Sequence, residues 1–291
     1  MSSHIEKDPV SVTETTGHEW DGIRELDNPA PKWLMYLFYA TIVWAIGYWV
    51  LYPAWPSLMG GGYTKGVLGY SQRADIAGRL TAHRADQAGL RGAIAQASLE
   101  EIRANPDLLS FALAGGRVAF GDNCAACHGA GGAGNPGFPA LVDDEWLWGG
   151  GLAEIERTIL HGIRNADPDS RYSEMPKFGA DGILKRGEIA DVAEFVLSLS
   201  SRATDPLAAA HGQPIYEAQC AACHGATGEG MREMGAPRLN DRIWLYGGSK
   251  EKIVESITNA RFGVMPAWSG RLDDATIKQL TVYVHALGGG E

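Results

Sequence analysis

One pentapeptide occurs twice in this chain of 291 residues: Cys124-Ala125-Ala126-Cys127-His128 and Cys220-Ala221-Ala222-Cys223-His224. C-x-x-C-H is the attachment pattern of a c-type haem. The two thiols add across the vinyl groups as thioethers, and the adjacent histidine is held under the iron. These are the only four cysteines, so no thiol is left for a disulfide or a further metal site. With both motifs loaded, the chain folds around two covalently held haems, and its chemistry is electron transfer.

Two other readings of a C-x-x-C pair exist. It can be half of a tetrahedral zinc site or a redox-active dithiol. The zinc reading leaves the histidine after each pair unexplained. The dithiol reading expects a βαβ context that neither copy has. The haem reading uses every residue of both motifs.

The surroundings of the motifs are duplicated as well. Gly116 and Phe120 precede Cys124 at steps of four, as Gly212 and Tyr216 precede Cys220. Gly137-Phe138-Pro139-Ala140-Leu141 and then Trp146-Leu147-Trp148-Gly149-Gly150 follow the first motif. Gly235-Ala236-Pro237-Arg238-Leu239 and Trp244-Leu245-Tyr246-Gly247-Gly248 follow the second. Met175-Pro176 and Met265-Pro266 come next, and each unit closes on a helical pattern, Ile189 to Leu199 and Ile277 to Leu287. The copies differ chiefly by an insertion, Asn165 to Glu174, before the first methionine. A glycine and an aromatic at i and i+4 share one helical face. The glycine permits close approach and the aromatic supplies buried area. With Phe195 and Tyr283 on the closing helices, the first and last helices of each unit are expected to cross there.

The duplicated unit resembles a class I cytochrome c domain, over most of residues 108 to 291. That resemblance implies a small helical bundle around one haem, with a far-loop methionine as sixth iron ligand. Met175 and Met265 match that position beside the histidine ligands His128 and His224. His/Met ligation raises the reduction potential and suits an electron carrier. The carbonyls of Pro139 and Pro237 match the acceptor for the proximal histidine N–H, which fixes the ring. Met231 and Met234 are rival ligands, on a loop short for reaching the opposite haem face. Whether each methionine serves the haem of its own unit stays open. His161, His211 and His285 read as surface or satisfied histidines. Trp146, Trp148, Trp244 and Tyr246 read as core, with contact to haem edges as the alternative.

The amino-terminal part carries a different signal. Trp33 to Tyr52 is a run of 20 residues without a charge. As a helix it spans roughly 30 Å, the thickness of the bilayer hydrocarbon. Trp33, Tyr36, Tyr48, Trp49, Tyr52 and Trp55 gather toward its ends like an aromatic belt. A polar tail precedes it and no small-residue cleavage site follows, so it reads as an uncleaved anchor. Lys and Arg near its ends do not set orientation. Haem attachment on the periplasmic side of bacteria does, and makes the tail cytoplasmic. Ser71 to Asn105 reads as a helical spacer, with Ile76, Leu80, Leu90 and Ile94 near helical spacing and Pro106 ending it. Three glycines (Gly78, Gly89, Gly92) leave a loosely ordered linker as the alternative. Net charge is -10, much of it in the tail, which argues against nucleic-acid binding. The glycine-rich stretch Gly129 to Gly137 has no G-K-[ST] and is read as a loop.

The chain is thus expected to be all-α: a cytoplasmic tail (1–30), a transmembrane anchor (31–56), a periplasmic helical spacer (57–107), and two tandem cytochrome c domains (108–202 and 203–291). Trp20-Asp21-Gly22-Ile23-Arg24-Glu25-Leu26-Asp27-Asn28-Pro29-Ala30-Pro31-Lys32-Trp33 runs into the anchor, which ends Gly47-Tyr48-Trp49-Val50-Leu51-Tyr52-Pro53-Ala54-Trp55-Pro56. Thr64-Lys65-Gly66-Val67-Leu68-Gly69-Tyr70-Ser71 follows. With the duplicated W-L-x-G-G, these segments closely resemble the dihaem (CcoP/FixP-type) subunit of cbb3-type cytochrome c oxidases, from about residue 20 onward. The resemblance implies two covalently bound haem c groups and membrane lipid around the anchor. It implies three protein partners: a periplasmic donor cytochrome, a monohaem cytochrome c subunit and a catalytic haem–copper subunit that reduces oxygen and pumps protons. On this reading the chain carries electrons and has no catalytic residue. A free-standing tethered dihaem shuttle is the alternative. A dihaem peroxidase or gas-binding protein would need an open sixth position, against which Met175 and Met265 argue.

Overall fold

A computed structural model describes residues 5–56 and 62–291. The first residues of the expected spacer, 57–61, lie outside the described residues. The chain divides into two compact units, Met1–Asp86 and Gln87–Glu291.

In the first unit the tail holds a hairpin. Strands β1 (Thr15–Trp20) and β2 (Ile23–Leu26) pair antiparallel, with Trp20 opposite Ile23. Asp21 and Gly22 both take positive φ, 49° and 83°. That pair of conformations is the two-residue turn whose twist matches the strands, and Asp-Gly is its strongest sequence signal. Arg24 bonds the carboxylates of Glu6 and Glu19 across it. This small sheet is an exception in an otherwise helical chain.

Helix α1 (Lys32–Leu51) follows Pro31 and has no buried residue. It is long and apolar enough to cross a membrane. Its last carbonyls are satisfied by the returning chain: Val67 N donates to Val50 O and Leu68 N to Leu51 O. Tyr48 stacks on Tyr52 at 4.7 Å, and Trp49 meets Trp55 edge-on at 4.9 Å.

Helix α2 (Gln72–Gln96) runs across the division between the units. The expected spacer helix is in fact two helices. Ser98 opens the short α3 (Leu99–Ala104) through a capping box with Glu101. The spacer does end before Pro106, with Asn105 in an extended conformation. Pro106 stands at the start of α4 (Pro106–Asn123), where its missing N–H costs nothing, and the Asn105 side chain caps that helix. Ile76, Leu80 and Leu90 are exposed while Ile94 is fully buried. The end of α2 is held by Arg91 on Asp273 and by Lys278 Nζ on the carbonyls of Ala95 and Ala97.

The second unit holds the two motif helices, α5 (Ala125–His128) and α9 (Ala221–His224). Around them stand α4, α6 (Leu152–His161), α7 (Arg186–Leu199), α8 (Pro206–Gln219), α10 (Lys250–Asn259) and α11 (Asp274–His285). The expected pairing of first and last helices within each repeat is not what forms. The closing helix of the first repeat, α7, packs on the opening helix of the second, α8, and α11 returns to pack on α4 and α6. Phe120 faces Tyr283 at 5.5 Å, and Phe195 faces Tyr216 at 5.0 Å. The cause is the short connection 200–205, which makes α7 and α8 antiparallel neighbours. α11 is then left to cover α4.

Both glycines approach as closely as the sequence suggested, on exchanged partners. A Cβ on Gly116 would strike the Gln279 carbonyl on α11, and one on Gly212 the Asp191 carbonyl on α7. The cores are mixed in the same way. One joins Phe178, Ile189, Val192 and Val196 to Tyr216, Cys220, Ile253 and Ile257. Another joins Phe120, Ile155 and Ile159 to Ile277, Leu280 and Val284.

Candidate haem sites

Each motif begins at the C-cap of a helix. Cys124 ends α4 and Cys220 ends α8, both with αR backbone, and the next four residues form a single helical turn. That turn brings the second cysteine and the histidine round to one side. His128 Nδ1 lies 2.9 Å from the carbonyl of Pro139, and His224 Nδ1 lies 3.0 Å from that of Pro237. A carbonyl can only accept, so Nδ1 carries the proton and Nε2 is the free donor atom for a metal. Burial lowers the pKa of His224, which favours the neutral imidazole that metal binding requires.

The placement of the thiols argues against a shared zinc site. Burial, and then the neighbouring cysteine, push Cys124 and Cys220 up to about 11. The two pairs stand at separate cores, Cys124 with Phe120 and Cys220 with Tyr216. Among the described residues the one cluster of potential metal ligands is His161, Asp167 and Asp169, with no cysteine in it.

An open-sided cavity of roughly 330 Å³ lies over the first motif. Cys124, Cys127 and His128 line it together with Met265, Pro266 and Trp268. The rest is largely apolar: Phe120, Trp146, Trp148, Ile155, Ile159, Leu280 and Val284. A flat apolar group that binds through one imidazole and one thioether fits this lining. Met175 is elsewhere. It packs on the core that contains Cys220, Tyr216 and Ile257. Met265 thus lines the cavity of the first motif, and Met175 packs on the core that contains Cys220 of the second.

The Met265 backbone is tied to the first repeat. Ile163 N donates to Met265 O at 2.9 Å and Met265 N to Ile163 O at 3.0 Å. Asn165 Nδ2 adds a third bond to Met265 O at 2.8 Å. Gly162, with φ 65°, leaves no room for a Cβ against that same carbonyl. On the other side, the amides of Gly179 and Ala180, just past Met175, bond Thr258 O at the end of α10.

A larger cleft, roughly 1040 Å³, lies between the loops that follow the two motifs. Pro139, Trp146 and Leu147 line it from one repeat, and Pro237, Trp244 and Tyr246 from the other. The W-L-x-G-G aromatics cross it. Trp148 covers Gly235, and Tyr246 lies 3.2 Å from where a Gly137 Cβ would stand. Arg238 pairs with Glu145 at 3.0 Å across the repeats. Trp244 Nε1 is buried without a partner, a donor left for a polar group at the second motif, whereas Trp146 Nε1 bonds Gly289 O.

The remaining candidates do not line the cavity of His128 and Met265. Met231 is paired by backbone with Ala236, and Met234 is exposed. His161 Nδ1 lies 3.1 Å from Asp167, His285 Nε2 lies 2.8 Å from Glu291 O, and His211 is exposed. Sequence reasoning passed over Ile163, Arg164 and Asn165, which hold the Met265 segment. The insertion beginning at Asn165 was their only signal.

Comparison with known proteins agrees with this architecture. A family model for the N-terminal domain of cytochrome oxidase-cbb3, FixP, matches residues 12–59. One for cytochrome c matches 113–200, and one for cytochrome c oxidase, cbb3-type, subunit III, matches 207–284. A cbb3-type cytochrome c oxidase subunit CcoP of Azospirillum brasilense is 56% identical over 98% of this chain and 99% of its own length. A FixP subunit of a Bradyrhizobium species is 52% identical over all of both chains. The chain belongs to the CcoP/FixP family of cbb3-type cytochrome c oxidase subunits. Within that family it is a cytochrome c electron-transfer subunit, associated with the membrane and with other oxidase subunits. The two cytochrome c matches follow the order of the repeats along the chain. The packing does not, because each CcoP/FixP-type core here is completed from the other repeat.

Proposed function

We propose that this chain carries two c-type haems and passes single electrons through them toward oxygen reduction. One haem is bonded to Cys124 and Cys127, with His128 and Met265 on its iron. The other is bonded to Cys220 and Cys223, with His224 and Met175. The supporting observation is the shared cavity of His128 and Met265, in which Pro139 keeps the histidine Nε2 free. A bound haem c supplies a one-electron ferrous/ferric couple, and His/Met ligation sets it at a potential suited to a carrier. Met265 and Met175 would fill the sixth positions, and the largely apolar lining would limit water at the irons.

The electrons come from a periplasmic donor cytochrome and leave for the monohaem and catalytic haem–copper subunits, where oxygen reduction is coupled to proton pumping. Helix α1 stands in membrane lipid, with the hairpin on the cytoplasmic side and the haems in the periplasm. The test is extraction in mild detergent through a tag on this chain, with the reduced spectrum and oxygen uptake on reduced cytochrome c recorded. Co-purifying b-type haem and cyanide-sensitive uptake are expected. Two c-type haems alone, without uptake or partner chains, would instead support a free-standing shuttle.

A further inference from the structure

Arg164 joins the two segments that end in the methionines. Its Nε donates to Gly263 O at 2.8 Å, two residues before Met265. Its Nη1 donates to Ser173 O at 3.0 Å, two residues before Met175. The guanidinium lies over the ring of Phe262, 5.6 Å from its centre. Backbone pairing runs the same way. Ile163 bridges Met265 antiparallel on one side and Arg171 parallel on the other, and Arg164 N donates to Arg171 O at 2.8 Å. Arg164 thus follows a residue that makes two isolated bridges, one to Met265 and one to the segment leading to Met175. Its φ of 52° is unusual for a residue with a side chain, and such strain persists only where the surroundings hold it.

The same side chain lines the cavity of His128 and Met265. It is half-buried, and among the described residues no carboxylate reaches it as an ion pair. Burial pulls its pKa down, yet a guanidinium stays charged across the range where proteins fold. A fixed positive charge near an iron favours the reduced, less positive state.

We infer that Arg164 is a positioning residue for both sixth ligands, and that its charge raises the potential of the haem on Cys124 and Cys127. The inference rests on the His/Met reading of the two sites. Its planar fork fits it for the role, because it can donate to two carbonyls on different segments at once.

The experiment uses the full-length, haem-loaded chain and three variants. Arg164→Gln removes the charge and one arm of the fork. Arg164→Lys keeps the charge and loses the fork. Met265→Ala is the reference for an opened sixth position. A single-thioether substitution, Cys127→Ser, marks the first haem by its red-shifted absorption, so the haems are read separately. Redox titration and imidazole binding to the ferric protein are measured.

Arg164→Gln is expected to shift the one-electron equilibrium of the marked haem about tenfold toward ferric, or 59 mV. Imidazole affinity is expected to rise about tenfold at both haems. Arg164→Lys should restore the potential and leave the raised imidazole affinity. The inference is overturned if the glutamine variant titrates and binds imidazole within about twofold of the parent. It is also overturned if imidazole affinity changes at only one haem. Should the glutamine variant fail to fold, the lysine variant still decides whether the fork positions the ligands. If Met265→Ala itself leaves imidazole binding unchanged at both haems, the His/Met reading fails, whatever Arg164 does.

Discussion

Phe120 and Tyr283 stand ring against ring, centroids 5.5 Å apart and planes tilted by 54°, although they come from opposite ends of the haem-bearing unit. They tie the opening helix of the first repeat to the closing helix of the second. A double-mutant cycle with Phe120→Leu and Tyr283→Leu is expected to show coupling of about 0.5–1.5 kcal/mol. The same cycle with Phe120→Leu and Phe195→Leu should be additive to within about 0.5 kcal/mol, as for groups without a shared contact. Coupling in the second cycle and none in the first would restore pairing within each repeat.

Gly116 and Gly212 sit where backbones meet. Gly116→Ala and Gly212→Ala each push a Cβ into the carbonyl of a neighbouring helix, at Gln279 and Asp191. Loss of about 1–3 kcal/mol is expected from each, seen as a lower Tm of the haem-loaded protein. Gly121, on the same helix as Gly116, has open space around it. Gly121→Ala should stabilise by up to about 1 kcal/mol, which separates crowding from helix propensity.

Glu194 on α7 is fully buried and bonds Lys250 Nζ at 2.7 Å, with Thr204 and Asp205 donating to the same carboxylate. Burial alone would raise its pKa, but these donors hold it at about 2, below the ordinary 4.5. Because the folded value is depressed, its stabilisation is complete above pH 4.5 and is lost as pH falls toward 2. The Lys250 ammonium, raised by Glu194, contributes in the opposite range: its share is complete below pH 10.5 and is lost at higher pH. Glu194→Gln loses the carboxylate that accepts from Lys250, Thr204 and Asp205, while the partly exposed Lys250 is taken up by water, and is expected to cost about 1–3 kcal/mol at neutral pH. Melting curves from pH 7 to pH 2 should converge with the parent as acid removes the difference.

Crossed ligation has a direct test. In the Cys127→Ser background the first haem hangs by one thioether and absorbs at longer wavelength. Adding Met265→Ala should let carbon monoxide bind that shifted haem in the ferrous state, and adding Met175→Ala should open the unshifted one. The reverse assignment would mean that each methionine serves its own repeat.

Much of this protein was legible in its residues. The motifs set the chemistry, because a thioether pair and an adjacent imidazole need no tertiary context to be recognised. The uncharged run from Trp33 set the anchor, because bilayer thickness fixes the length of an apolar helix. The hairpin at Asp21-Gly22 was equally local and was passed over in favour of a plain polar tail. Glu194 gave no such signal, since a helix pattern does not say which polar residue will be sealed against a lysine 56 positions away.

The exchange of closing helices and methionines is where sequence stopped. Two similar repeats offer each opening helix two equivalent partners, so the apolar pattern of α4 is met as well by α7 as by α11. Tertiary structure decided between them through the short connection at 200–205, which sets α7 antiparallel against α8. That choice carried Met175 to the second core and brought Met265, with Ile163 and Asn165 holding its backbone, into the cavity that His128 lines. The residue types expected to hold haem were thus set along the chain, and which helices and methionine segments share a core was set by the length of one loop.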